Sequence, residues 1–229
     1  MWLRLLLVTA LLFTPAAADP TADLAGGKVE WARLKTPSPS WDRHASSDHL
    51  LLKYIRESTT LNIDPVWRAA DVEDIHQMCA YPFLFCEGLG FVDDAGRKNL
   101  REYLQRGGFL FIDSCIAPQV NRREDDFIAT QMVALHDILP DMRTEPIPDN
   151  HEIFHNCFDM VDGLPNTRTE DMIDWPPEGL TAIYSKDRLV SIMSVSGLQC
   201  GWAGFKHTQN HSTNCMKMMI NIYVYAITH

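Results

Sequence analysis

Two continuous hydrophobic runs in the middle of the chain give the clearest structural signal in the sequence. They cover residues 81–86 and 109–112, and neither alternates with polar residues. Such runs are typical of strands that are buried on both faces of a sheet. Between them, residues 97–106 place their apolar side chains on one helical face and stop at two glycines. Strand, helix and strand with short links predict a parallel βαβ unit.

Three further helices are predicted from spacing and capping. Asp48 is a suitable N-cap for a helix that ends near Ser58. Apolar residues at helical spacing predict a helix over residues 127–139, which a proline ends. The almost wholly apolar segment 214–227 predicts a helix that is buried.

The remaining patterns predict strands. Residues 28–35 alternate loosely and predict a first strand, and residues 180–184 and 189–194 flank a polar turn and predict a hairpin. Taken with the βαβ unit, these elements predict an α/β fold, a three-layer sandwich around a mostly parallel sheet.

The first residues have the three parts of a secretory signal. They are a cationic start at Arg4, an apolar stretch over residues 5–13 and three alanines at 16–18. The stretch is shorter than the roughly 20 residues that a membrane span needs, so we expect an exported protein, periplasmic or extracellular, with no span in the mature chain. The predicted organisation is a signal peptide over 1–18, a flexible leader over 19–27 and a single α/β domain over 28–229.

Charge and cysteine content narrow the classes of function. The chain has 20 basic and 30 acidic residues, a formal net charge of −10. Nucleic-acid binding depends on an excess of Lys and Arg, so we expect no nucleic-acid partner. Six cysteines are too few to build a disulfide scaffold at this length, and stability must come from a hydrophobic core.

Acidic residues directly follow both hydrophobic runs. Glu87 comes after the first run and Asp113 after the second. Ligands of parallel sheets bind outside the carboxyl ends of the strands, where two carboxylates could act as acid and base, hold a cation or bind sugar hydroxyls. The alternative is local: Glu87 caps a turn and Asp113 caps the next helix.

A second candidate cluster consists of residues with metal-ligand chemistry. His207, His211 and Cys215 are four residues apart and would share one face of a helix, a set typical of zinc or copper. However, residues 208–214 are rich in Thr, Asn and Ser, which favours a loop with solvated histidines. We therefore predict no metal and no cofactor, and keep this cluster as the weaker alternative.

Several motifs occur along the chain in a fixed order. They are YPFLF at 81–85, LREYL at 100–104, GGFL at 107–110 followed by Asp113, LP at 139–140, HEIFH at 151–155, GW at 201–202 and NIYVYAITH at 221–229. Together they resemble an exported bacterial family of unknown function, numbered 4159, over most of the mature chain. That family is similar to the class I glutamine amidotransferase-like superfamily, whose fold is a flavodoxin-like α/β sandwich.

The resemblance implies this fold but no reaction. Members usually have two aspartates after the GGFL strand, whereas this chain has Asp113-Ser114, so a two-carboxylate mechanism at this point is not implied. Cysteine catalysis of the amidotransferase type needs an elbow with glycines on both sides, and Leu84 stands in place of the first glycine before Cys86. The same thiol is better explained structurally. Cys86 and Cys115 follow adjacent strands, and they are the predicted disulfide pair.

The leading hypothesis is an exported ligand-binding or accessory protein on an amidotransferase-like fold without glutaminase activity. Its ligand is a small molecule or carbohydrate. The predicted ligand-binding residues are Trp41, Glu87, Asp113, Ser114, His151 and Trp202, with the two tryptophans stacking on a sugar or another flat face.

Two alternatives from other classes remain. One is a cell-envelope hydrolase in which Asp113 or Glu87 is the general base and His151 the acid. The other is an interaction subunit of an envelope complex, which would bind a protein partner through a flat surface.

Overall fold

One seven-stranded sheet organises the protein. A computed structural model describes residues 27–113, 124–165, 179–204 and 209–229. The strands are β1 (Ala32–Lys35), β2 (Arg68–Asp71), β3 (Phe83–Cys86), β4 (Phe109–Asp113), β5 (Arg143–Pro146), β6 (Thr181–Ser185) and β7 (Arg188–Ser194). Their order across the sheet is β2-β1-β3-β4-β7-β6-β5. The first five in this order run parallel, whereas β6 and β5 are antiparallel to their neighbours.

Helices cover both faces of this sheet, which makes the three-layer sandwich that the sequence predicts. In the described ranges they are α1 (Asp48–Ser58), α2 (Ile75–Cys79), α3 (Asp94–Gln105), α4 (Glu124–Ile138), α5 (Leu198–Trp202) and α6 (Gln209–Thr228). Helices α1, α5 and α6 pack together on one face, and α2, α3 and α4 on the other. Each face has its own cluster of buried apolar side chains. No helix within the described residues has the length and hydropathy that a membrane crossing requires.

The β3-α3-β4 unit is confirmed as a parallel pair of adjacent strands. Phe83 is in register with Phe109, and Cys86 with Ile112. The Tyr103 hydroxyl donates to the Phe109 carbonyl at 3.0 Å and accepts from the Phe109 amide at 3.2 Å. A Cβ at Gly108 would lie 2.3 Å from the Tyr103 ring, so glycine at this position lets the strand begin directly beneath the helix.

Other predicted elements are also present, with shifted ends. Helix α1 ends at Ser58 as predicted, β6 and β7 form the predicted hairpin, and α4 lies where a helix was expected. Helix α6 begins at Gln209, five residues earlier than its apolar pattern predicts, because the polar first turns still continue the helix.

Four short elements were not predicted from the sequence. The strand β2 and the edge strand β5 have four residues each, and all four residues of β5 are exposed. Neither has the hydrophobic alternation by which a strand is recognised from sequence. The five-residue helices α2 and α5 are likewise too short for a helical period to be visible.

A fully buried ion pair lies inside the α1 face of the sheet. The Arg33 guanidinium, on β1, donates to both carboxylate oxygens of Asp48, with Nε–Oδ2 and Nη2–Oδ1 distances of 2.6 Å. The indole nitrogen of Trp31 also donates to Asp48, at 2.9 Å, and that of Trp202 at 3.3 Å. Asp48 is therefore not the N-cap that the sequence suggests; it is the first residue of α1, and its carboxylate faces inward to accept from four N–H groups of three side chains.

We expect Asp48→Ala to destabilise the protein strongly. The change leaves the Arg33 charge and two indole N–H groups buried without their acceptor, and breaking a buried ion pair on one side costs about 3–5 kcal/mol of unfolding free energy. Urea denaturation followed by circular dichroism measures this loss.

Two further variants test the cause. The double variant Arg33→Met/Asp48→Leu removes both charges and should recover the part of the loss that comes from the unpaired Arg33 charge, while the two indole N–H groups still lack their acceptor. Lys53→Met, which breaks an exposed 3.8 Å pair with Glu57, should leave the urea midpoint nearly unchanged. A double variant as unstable as Asp48→Ala would contradict the electrostatic explanation.

Candidate functional site

The chain changes direction across the sheet at β1. It leaves β1 through α1 to reach β2 on one side, and then returns to β3 on the other side of β1. The loops after β1 and β3 consequently diverge at the carboxyl ends of these strands and leave a crevice, which is where ligands of open α/β sheets bind. A cavity of about 220 Å³ occupies this place.

This strand-end cavity has walls from three segments of the chain. The loop after β1, the loop after β3 and the first turns of α4 each contribute four residues. The lining residues are Thr36, Ser38, Ser40, Trp41, Glu87, Gly88, Gly90, Phe91, Asp126, Phe127, Thr130 and Gln131.

Glu87 brings a buried carboxylate to the cavity. Its side chain is only 4% exposed, and its Oε2 lies 3.5 Å from the guanidinium Nε of Arg43. The backbone of Arg43 is held in place from the interior, because its carbonyl accepts from Arg33 Nη1 at 3.2 Å and from the side-chain amide of Gln199. The core ion pair and α5 thus position the cation that accompanies Glu87.

Trp41 supplies an aromatic wall beside this carboxylate. Its ring is half-buried and packs edge-on against Trp67, with 6.4 Å between the ring centroids. The turn before it is held by side-chain contacts, in which the Ser38 and Ser40 hydroxyls lie 3.1 Å apart. Two predicted site residues, Trp41 and Glu87, are therefore brought together.

The floor of the cavity requires glycine at position 88. Gly88 has a φ of +153°, and a Cβ there would lie 3.3 Å from the Gln131 amide nitrogen. The buried Gln131 side chain accepts from the Leu89 amide at 2.7 Å and so ties the loop after β3 to α4. A side chain at 88 would strain the backbone and enter the cavity.

Asp113 lies outside the cavity lining and has a structural partner. It is fully buried at the end of β4 and accepts from the backbone amides of Gly197 at 3.1 Å and Gln199 at 3.2 Å. The alternative in which Asp113 caps a helix is close to the observed role, but the helix that it caps is α5 and not the next one along the chain. Burial raises the pKa of Asp113 to about 6, although these amide hydrogen bonds oppose the shift.

His151 lies at the other end of the sheet from Glu87 and Asp113. Its Nδ1 accepts from the Ile153 amide at 3.2 Å, and its ring lies 5.7 Å from that of Tyr225. Tyr225 in turn packs on Phe109, the first residue of β4, whereas Asp113 is the last. Four residue steps separate the two ends by roughly 13 Å. The structure therefore does not bring His151 together with the two carboxylates.

The other predicted site residues divide between the core and segments outside the description. Trp202 is 2% exposed and donates to Asp48, so it belongs to the core and presents no face to a ligand. Ser114 lies outside the described residues.

Cys86 is a free thiol, so the predicted Cys86–Cys115 disulfide is wrong. The β3–β4 register explains this, since it places Cys86 beside Ile112, three residues before Cys115. The thiol accepts from the Gly88 amide at 3.3 Å and donates to the Gly88 carbonyl at 3.4 Å. Cys115 lies outside the described residues, and Cys200 on α5 is disulfide-bonded.

Part of the metal-ligand cluster can be located. His211 and Cys215 lie one turn apart on α6, with 3.5 Å between Nε2 and Sγ, whereas His207 lies outside the described residues. Burial raises the pKa of the Cys215 thiol to about 12. Within the described ranges, no three His, Cys, Asp or Glu side chains are grouped to hold a metal ion.

Sequence reasoning missed Arg43, Phe91 and Gln131, which complete the site. Arg43 could have been recognised from its position in the Ser- and Pro-rich loop after β1. The crevice itself depends on β1 having strands on both sides, and β2 was not predicted.

The raised pKa of Asp113 predicts a pH effect on stability. The carboxyl of Asp113 ionises near pH 3.8 in the unfolded chain and near pH 6 in the folded protein. The stability that depends on its protonated form is therefore fully present below pH 3.8 and is lost as the pH rises through 6. Between about pH 4 and pH 7, the wild type should lose roughly 2 kcal/mol of unfolding free energy relative to Asp113→Asn. Urea titrations of both proteins at these pH values measure the difference, and an equal pH dependence would contradict it.

Burial also predicts which thiols react. Burial raises the pKa of Cys86 to about 12, and a protonated thiol is a poor nucleophile. In the native protein, iodoacetamide should modify the exposed Cys79 well before Cys86, as peptide mass spectrometry would show. Unfolding in urea should remove this difference, and rapid native labelling of Cys86 would contradict the prediction.

Residues 30–227 match the model of a domain of unknown function, DUF4159. No curated protein matches the chain. The matched range includes all seven strands and every residue that lines the strand-end cavity. The chain therefore belongs to the DUF4159 family, as its sequence motifs predict.

Proposed function

We propose that this protein binds a small polyhydroxylated ligand of the carbohydrate class in the strand-end cavity. The observation that carries the proposal is the buried Glu87 carboxylate, paired with Arg43 and placed beside the ring of Trp41 at the crevice between β1 and β3. Ligand pockets generally combine aromatic walls with a few fixed polar groups in this way.

The polar groups of the cavity suit hydroxyl groups of a ligand. The Glu87 carboxylate can only accept when ionised, so it can accept a hydrogen bond from a sugar hydroxyl, while the Arg43 guanidinium 3.5 Å away balances its charge. Hydroxyl side chains of Ser38, Ser40 and Thr130 line the same space and can donate or accept. Each hydroxyl group of a sugar can both donate and accept hydrogen bonds, so a polyhydroxylated ligand matches these polar groups.

The size and apolar surface of the cavity agree with one sugar ring. Its volume of about 220 Å³ is below the roughly 300–1,000 Å³ that holds drug-sized ligands. Trp41 and Phe127 provide apolar surface for the C–H face of a ring, while the polar edge of the ring faces the carboxylate.

Glutaminase activity is not part of the proposal. The Cys86 thiol is buried, its pKa is raised, and it donates to a carbonyl of its own loop. We also propose that the fold belongs to the flavodoxin-like class and to the amidotransferase-like superfamily. The strand order β2-β1-β3-β4 supports this assignment. A hydrolase that combines His151 with Asp113 or Glu87 is disfavoured, because His151 lies at the opposite end of β4.

The place of action is also proposed. The signal-like pattern of residues 1–18 supports export, and an exported protein meets carbohydrates of the cell envelope or the surroundings. The interaction-subunit alternative would require a stoichiometric protein partner, and co-purification of the exported protein would test it.

Isothermal titration calorimetry with glucose and N-acetylglucosamine tests the binding function. At least one sugar should bind, and Glu87→Gln should weaken that binding roughly ten- to a hundredfold, because a hydrogen bond to a charged acceptor contributes about 1.5–3 kcal/mol. Glu57→Gln, an exposed carboxylate on α1, is the matched control and should bind like the wild type.

The aromatic wall is tested separately. Trp41→Ala should lose roughly tenfold in affinity, while Trp41→Phe should retain most of it because an apolar ring face remains. If no sugar binds, or if Glu87→Gln binds like the control while remaining folded, the proposed function is wrong.

A further inference from the structure

A second cavity lies directly beside the strand-end cavity along α4. This α4 groove has a volume of about 350 Å³ and shares Gly90 and Thr130 with the first cavity. Its lining is Leu89, Gly90, Arg97, Ala129, Thr130, Val133 and Ala134. The two cavities therefore adjoin at these shared residues.

The ridge between the two cavities is low because residue 90 is a glycine. A Cβ on Gly90 would lie 3.2 Å from the Thr130 methyl group, so any side chain there would raise the ridge and narrow the passage. A ligand that fills the first cavity can therefore continue over Gly90 into the α4 groove.

Exposed apolar side chains stand along this path. Phe91 and Val133 are both 65% exposed. Phe91 lines the strand-end cavity next to the ridge, and Val133 lines the groove beyond it. An exposed aromatic ring at the mouth of a cavity suits stacking against a flat, partly apolar ligand face.

Polar groups at the far side of the groove are held in place. The Arg97 guanidinium lies 3.3 Å from Asp94 and 3.3 Å from Asp137. It can donate further hydrogen bonds while its charge is balanced by the two carboxylates, which favours an uncharged ligand with hydroxyl groups over an anionic one.

We infer that the site binds an oligosaccharide rather than a single sugar, with one ring in the strand-end cavity and the next stacked on Phe91 over the α4 groove. This inference rests on the proposed function, since it extends the same site. The chemical class is a neutral chain of linked sugar rings, and Phe91 selects for chain length.

Calorimetry with glucose, cellotriose, N-acetylglucosamine and chitotriose tests the inference. One trimer should bind roughly tenfold tighter than its own monomer, because a second ring adds stacking and hydrogen bonds. Phe91→Ala should weaken trimer binding more than monomer binding, and so bring the affinity for the trimer to within about threefold of that for the monomer. Phe91→Trp keeps the stacking surface and should retain the preference.

Two further variants separate the groove from a general surface effect. Gly90→Val raises the ridge and should weaken trimer binding more than monomer binding. Val161→Ala removes an exposed apolar side chain outside both cavities and should change neither. If a monomer binds but its trimer binds no tighter, or if Phe91→Ala does not change trimer affinity, the inference is wrong and the proposed function stands. If no sugar binds, both are wrong.

Discussion

The buried ion pair between Arg33 and Asp48 connects the parts of the protein that have to be fixed relative to one another. Arg33 is on β1, Asp48 begins α1, and the indole of Trp202 brings α5 to the same carboxylate. The remaining guanidinium nitrogen of Arg33 binds the carbonyl of Arg43, whose side chain accompanies Glu87. Burying two charges is costly unless every donor and acceptor is matched, so this network tolerates one arrangement of strand, helices and loop.

The site inherits its rigidity from this arrangement. The walls of the strand-end cavity come from loops, which are ordinarily the most mobile parts of a fold. Here one loop is held by Arg33 and Gln199 from the core, and the other by Gln131 from α4. A site whose polar groups are already in position loses little conformational entropy when it binds, which leaves more of the interaction energy for affinity.

Sequence reasoning was most successful where burial alone decides the structure. The β3-α3-β4 unit is visible because its strands are apolar on both faces, and Glu87 was found because it follows such a strand. Trp202 and Asp48 were misjudged because their partners are distant in the chain, and no local pattern distinguishes a ligand-facing indole from one that binds a buried carboxylate. The register of β3 and β4, which excludes Cys86 from the predicted disulfide, is likewise a property of two segments together.

The exposed edge strand β5 has a consequence for how the protein meets other chains. Its residues Arg143 and Glu145 carry charges, and Pro146 has no amide hydrogen to offer to a further strand. Charged residues and proline at an open edge discourage intermolecular strand addition, the first step of many aggregation reactions. The sheet is thus protected from growing outward at β5, and a protein that docks on this molecule would have to recognise side chains rather than extend the backbone ladder at that edge.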